Sequence, residues 1–130
     1  MASFLHRSNQ ERAASAVRSA RRALVGAESD GVHVTSVFHY GAVEIDPRYL
    51  VVWILLSGRP DEELPAWFAI KPGLLDDQRP EGLDLDWLLG LRDVVVRELS
   101  KRGWPNTDSA KVLIDSAHRV ESEGGWNYFR

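Results

Sequence analysis

The stretch Tyr49-Leu50-Val51-Val52-Trp53-Ile54-Leu55-Leu56 decides the fold, because it is apolar or aromatic at every position. A strand with one face in water alternates apolar and polar residues, whereas this stretch is apolar on both parities. It therefore predicts a strand covered on both faces, at the centre of a sheet. A β-branched run over residues 34–45 and the turn signal Asp46-Pro47-Arg48 precede it. Together they predict an antiparallel hairpin of strands 34–45 and 49–57.

Helical patterns flank this hairpin on both sides. Ser8-Asn9-Gln10-Glu11 fits a capping box, and it predicts a helix over about 9–26 with an apolar stripe made mostly of alanine. A second helix is predicted from Asp84 or Asp86 to Arg102. Gly103 follows it as a C-cap, and the proline two residues later cannot continue a helix.

The remaining segments complete an α+β pattern. Residues 67–70 suggest a short third strand inside a proline-rich connection, residues 111–121 alternate like a strand, and residues 126–129 suggest a last strand. The predicted order α-β-β-(β)-α-β-β corresponds to a two-layer α+β sandwich, with two helices on an antiparallel sheet of four to five strands. A length of 130 residues predicts a single domain over 1–130, with residues 1–7 as a flexible tail.

Composition excludes several function classes. The absence of cysteine excludes disulfides, thiolate metal sites and cysteine nucleophiles, and no Gly-rich phosphate motif of the forms GxxxxGK[ST] or GxGxxG occurs. No apolar run reaches the length of a membrane span, and the first seven residues lack a signal-peptide core. We therefore expect no membrane partner and a cytoplasmic protein. The preference for arginine over lysine is typical of GC-rich bacterial genomes.

Charge is distributed unevenly along the chain. The formal net charge is −3. The one basic patch is the predicted first helix, with Arg12, Arg18, Arg21 and Arg22, so we expect no nucleic-acid partner. Residues 61–86 instead hold eight acids against Lys71 and Arg79. Such a segment can attract a basic partner, although a simply solvated loop has the same composition.

Tryptophan is unusually frequent, with five in the chain. Trp67, Trp104 and Trp126 lie in or near predicted loops and edges, where partial exposure would make them interface anchors. The alternative is that they close the ends of the core. We expect a protein-binding domain, such as an immunity, inhibitor or accessory protein, or one that pairs with a second copy. The predicted contact residues are Glu62, Glu63, Trp67, Asp76, Asp77, Trp104 and Trp126.

An enzyme or small-ligand-binding protein is the alternative function. It would need a pocket between the sheet and the helices, lined by His39, Tyr40, Glu44 and His118. No closely spaced histidine pair suggests a metal site, so we predict no metal and no cofactor. Ser116 and His118 would lie about 6–7 Å apart on one strand, which is too far for a direct hydrogen bond. No catalytic residue is therefore assigned, and the non-enzymatic interpretation is preferred.

Overall fold

The continuous apolar stretch forms a strand in the middle of the sheet, as its sequence predicts. The computed structural model describes residues 8–125. Its helices are α1 (Asn9–Leu24), α2 (Leu85–Lys101) and α3 (Ala117–Ser122). Its strands are β1 (Glu28–Ser29), β2 (Val32–Tyr40), β3 (Val51–Ser57), β4 (Phe68–Ala69) and β5 (Lys111–Ser116). They form a curled five-stranded sheet in the order β1-β2-β3-β5-β4.

The sheet is mostly antiparallel, with one parallel pair. β2 and β3 form the predicted antiparallel hairpin, in which Phe38 lies opposite Trp53. β3 and β5 run parallel, because α2 lies between them in the chain and returns it to the same end of the sheet. The short β4 pairs antiparallel with β5 at one edge. The predicted α+β class is confirmed, and the sheet is mixed rather than wholly antiparallel.

The core lies between the sheet and the two long helices. Val52, Ile54 and Leu56 of β3 pack in one buried cluster with residues of α1 and α2. Trp53 and Leu55 point to the opposite face, since successive strand residues alternate, and they are buried there. The alanine-rich stripe of α1 is buried as expected, because small side chains let the helix approach the sheet closely. No helix between residues 8 and 125 combines the length and apolar character that crossing a membrane requires.

Caps define the helix ends much as the sequence predicts. The Ser8 side chain accepts a hydrogen bond from the Glu11 amide at 3.1 Å, and Asp84 accepts one from the Trp87 amide at 2.8 Å. Gly103 follows α2 with a φ of +72°, the left-handed conformation that a helix C-terminus favours. The bounds of α1 and α2 therefore agree with the predicted ones within two residues.

Two strands, those predicted over 34–45 and 111–121, each end five residues earlier than expected. β2 ends at Tyr40, because the backbone at Gly41 has a φ of +119° and runs against the Tyr49 carbonyl, and a turn occupies residues 42–45. β5 ends at Ser116, where the predicted strand 111–121 gives way to α3. The Ser116 hydroxyl accepts the Arg119 amide at 3.2 Å and so begins a helix. The predicted tail 1–7 and last strand 126–129 lie outside the described residues.

Candidate functional site

A buried ion pair holds the connection between β3 and α2 against the end of β5. Asp115 is 0% exposed, and Arg119 Nη1 lies 2.8 Å from its Oδ1 atom. The Arg119 guanidinium also donates to the main-chain carbonyls of Asp61, Leu64 and Pro65. One arginine thus satisfies a buried carboxylate and holds residues 61–65 against the sheet.

A second carboxylate, Asp61, bridges the same segment to α3. Ser116 Oγ donates to one oxygen of Asp61, and His118 Nδ1 lies 2.8 Å from the other. The hydrogen bonds from Ser116 and His118 hold the pKa of Asp61 below its ordinary value. The hydrogen bond to Asp61 raises the pKa of His118, whose side chain is 80% exposed. Ser116 and His118 therefore both hydrogen-bond to the carboxylate of Asp61. This arrangement links the connection to α3, rather than placing the imidazole to activate the serine.

Trp67 lies two residues after this segment. Its amide donates to Asp115 Oδ2 at 3.1 Å, so the buried carboxylate holds the backbone of the tryptophan as well. Trp67 has a φ of +52°, in the left-handed region that bulky side chains seldom adopt. Its ring contacts Trp53 edge to face at a centroid distance of 5.0 Å. Half of the residue, 50%, is still exposed.

Sequence reasoning missed Asp115 and Arg119 as the residues that organise this site. A local signal was available, because the two are four residues apart, which is the spacing of a helical ion pair. Ser116 also stands three residues before Arg119, as an N-cap would. The alternation of residues 111–121 concealed both signals by favouring a strand. The contact with Asp61 carried no local signal, since 55 and 57 positions along the chain separate it from Ser116 and His118.

The predicted acidic residues belong to the same connection. Glu62, Glu63, Asp76 and Asp77 are all exposed. A groove of about 500 Å³ is lined by Glu62, Glu63 and Glu81, and a neighbouring one of about 390 Å³ by Asp30, Asp76, Asp84 and Asp86. Both include Gly82. Arg59 and Arg79 also line these grooves, but they donate to the main-chain carbonyls of Gly82 and Leu83.

Trp104, the second predicted tryptophan, does not add to this surface. Trp104 is 6% exposed and belongs to the buried core, so its expected exposure is wrong. Its amide donates to the Leu99 carbonyl at 3.1 Å, which folds the residue back onto the end of α2. Trp104 therefore closes one end of the core. Trp126 lies outside the described residues.

Of the four residues of the alternative pocket, His39 and Glu44 lie near each other, whereas Tyr40 and His118 lie elsewhere. His39 and Glu44 both contact Gln10 at the start of α1, and burial lowers the pKa of His39. Tyr40 lies on the opposite face of β2, where its ring contacts Phe38. His39 is level with Val112, at the far end of β5 from His118. The four-residue step along β5 from Val112 to Ser116 already spans about 13 Å.

Neither a metal-binding cluster in residues 8–125 nor a similar protein helps to assign the site. Across residues 8–125, no group of three or more histidine or acidic side chains is arranged to hold a metal ion. Comparisons of the chain with protein-family models, curated proteins and solved structures find no match. A functional proposal therefore rests on the geometry of the chain itself.

Proposed function

We propose that the protein binds a basic partner protein through Trp67 and the exposed acids Glu62, Glu63, Asp76 and Asp77, here called the Trp67 surface. The single observation that carries the proposal is the way Trp67 is held. Its backbone is strained and its side chain is half exposed, and a fully buried carboxylate fixes it in that position.

This arrangement opposes what stability alone favours. An exposed tryptophan leaves apolar area in water, and a left-handed backbone at a bulky residue costs about 1–3 kcal/mol. The surrounding structure therefore has to enforce both features, and such strain is typical of functional sites. Tryptophan is also among the residues that most often dominate the binding energy of protein interfaces.

The surrounding charge indicates the chemistry of the partner. The four acids of the Trp67 surface make no ion pair except that of Asp76 with Arg79, at 2.9 Å, among residues 8–125. Carboxylates free in water attract a basic protein and speed its association, while a central aromatic side chain slows its release. An inhibitor or immunity protein that covers a basic active site would use such a surface, and so would an accessory protein.

A charge-reversal experiment with a matched control tests the proposal. One variant changes Glu62, Glu63, Asp76 and Asp77 to lysine, and the control makes four equal changes at the exposed acids Glu28, Asp93, Asp108 and Glu123. Partners are captured from the native cell with each variant over a series of salt concentrations. We expect the first variant to lose the partner, high salt to mimic that loss, and the control to retain it.

One result of this experiment would contradict the proposal. If both variants retain the same proteins with the same salt dependence, the acids are only solvated and the proposed function is wrong. Thermal unfolding of both variants checks that the fold is intact, because exposed charges each contribute under about 1 kcal/mol to stability.

A further inference from the structure

β4 is the outermost strand of the sheet that residues 8–125 form, and it pairs with β5 through Phe68 and Ala69. The Ile70 amide donates to the Val112 carbonyl at 2.8 Å, so it points towards β5. Successive main-chain amides of a strand point to opposite edges. The N–H and C=O groups of Ala69 therefore point away from the sheet, where an extended segment can bond to them.

A groove of about 430 Å³ lies beside β4. Trp67, Phe68, Pro72 and Leu74 contribute apolar side chains to its lining. Trp67 is 50% exposed, and Leu75, next to the groove in the chain, is 60% exposed. Large apolar side chains in contact with water mark interaction surfaces. Outward main-chain groups and an apolar lining are the two features that strand addition uses for affinity and for side-chain selection.

The charge of this groove comes from Lys71. It is the only charged residue that lines the groove, and residues 64–75 contain no other charged side chain. Lys71 is exposed and forms no ion pair with any group in residues 8–125. Asp76, the first acid after this stretch, is already paired with Arg79 at 2.9 Å. A carboxylate is therefore the charged group that complements the groove.

This charge selects among the occupants that could add to β4. A second copy paired along the same edge would supply a further cation, because residues 64–75 hold no acid. A basic segment would bring like charge against Lys71, which disfavours binding. An extended apolar segment that carries one acidic side chain matches the lining, the cation and the outward main-chain groups together.

We infer that the protein has a second binding site, in which an extended, mainly apolar partner segment with one glutamate or aspartate adds to β4 beside Ala69. Main-chain hydrogen bonds to Ala69 hold the segment, its apolar side chains contact Trp67 and Leu74, and its carboxylate binds Lys71. The site goes beyond the proposed function, because Trp67 is the one residue that it shares with the Trp67 surface.

Two synthetic peptides that differ at one position test the site on the full chain. The probe is acetyl-Val-Thr-Val-Glu-Val-Thr-Val-amide, and the control peptide has lysine in place of glutamate. Each is titrated into isotope-labelled protein while the amide resonances are followed. We expect the probe to shift the Ala69 resonance and slow its hydrogen exchange. It should bind about three- to tenfold more tightly than the control, the range for one exposed charge pair.

Charge reversal in the groove provides the matched protein variant. Lys71→Glu should reverse the preference, so that the control peptide binds more tightly than the probe. Arg97→Glu changes an exposed cation on α2, outside the groove, and should leave the preference unchanged. The same preference in the wild-type chain and in Lys71→Glu would remove Lys71 from the site and overturn the inference.

N-methylated peptides test the main-chain pairing. Alternate N–H groups of an added strand face β4, so one probe is methylated on its valines and another on its threonines and glutamate. One of the two should bind about tenfold or more weakly, and the other should bind like the probe. Ala69→Pro should weaken binding and Ala69→Val should retain it. If Ala69→Pro unfolds the protein, the methylated peptides still decide, and equal binding of both overturns strand addition.

The outcomes also separate this site from the proposed function. The variant in which the four acids of the Trp67 surface are reversed should still bind the probe. If the native partner ignores that charge reversal while the probe binds at Ala69, the proposed function alone is wrong. If the native partner is lost and the probe gives no response at Ala69, the second site alone is wrong. A dimer of the wild-type chain that Ala69→Pro makes monomeric assigns the edge to a second copy and overturns the inference.

Discussion

The two loops that enter and leave β3 are held in different ways. The first loop, residues 41–50, is held by apolar burial and by hydrogen bonds to α1: Val43 and Leu50 are buried, Asn9 donates to the Val43 carbonyl at 2.9 Å, and the Gln10 amide donates to the Glu44 carboxylate at 2.6 Å. The second loop, residues 58–67, is held by the buried Asp115–Arg119 pair and ends in a half-exposed tryptophan. Both loops expose large apolar residues, Ile45 and Tyr49 in the first and Trp67 in the second, but only the second is held in place by a buried carboxylate.

The largest difference between the loops should appear when their acids are removed. Asp115→Ala leaves Arg119 without its partner in a largely buried position, and losing one member of a buried pair costs about 3–5 kcal/mol. Asp46→Ala is the matched control in the first loop, where the pair with Arg48 is open to solvent, so its loss should change stability far less. Urea unfolding measures both. Equal losses would show that the second loop does not depend on buried charge.

The first loop should instead be sensitive to added volume at Gly41. A Cβ atom there would lie 1.9 Å from the Tyr49 carbonyl oxygen, and the φ of +119° is unfavourable for any side chain. We expect Gly41→Ala to lower stability by about 3 kcal/mol or more, because it combines strain and overlap. Gly26→Ala, at a φ of +93° with no atom nearby, has the strain alone and should lower it less. A similar loss in both variants would argue against the close approach.

The two tryptophans that meet edge to face, Trp53 and Trp67, should separate an effect on stability from an effect on binding. Trp53 is 2% exposed, so Trp53→Ala should cost about 3–5 kcal/mol. Trp67→Ala removes a half-exposed ring, so we expect a smaller loss of stability and faster dissociation of the partner. Urea unfolding and dissociation kinetics measure the two effects. Unchanged dissociation after Trp67→Ala would remove Trp67 from the interface.

The smallest expected effect is an opposite response of the two loops to pH. The pKa of His118 is raised, so its contribution to stability is fully present below 6.5 and is lost as pH rises through the folded pKa. The pKa of Asp61 is lowered, so its contribution is present above 3.8 and is lost on further acidification. The pKa of His39, beside the first loop, is lowered by burial, so acidification below 6.5 destabilises that side.

Amide exchange of the two loops between pH 5 and pH 8 measures this contrast. We expect residues 61–67 to exchange more slowly, relative to the intrinsic rate, at the lower pH and residues 41–46 to do so at the higher pH. Asp61 and Glu121 are the charged groups that raise the pKa of His118, and His118→Gln should abolish the response of the second loop alone. A response that survives this substitution would assign it to another group.

Local patterns determined most of the fold. The apolar run of β3, the caps of α1 and α2 and the hairpin signal at Asp46-Pro47-Arg48 each act within a few residues, so the sequence alone predicts them. The strand prediction over 111–121 is wrong beyond Ser116, because it too relied on a local pattern. A serine that fits an alternating pattern also caps a helix, and burial on the sheet does not distinguish the two before the chain folds.

The sequence by itself determined a central strand, two capped helices and an acidic connection that carries a tryptophan. Only the tertiary structure decided that β3 and β5 run parallel, that Trp104 is buried and that Asp61 meets Ser116 and His118. The physical reason is the distance along the chain over which each kind of interaction acts. Periodicity and capping act between neighbours, whereas the position of Trp67 depends on Asp115, 48 residues away along the chain, which comes within hydrogen-bond distance only once the sheet has formed.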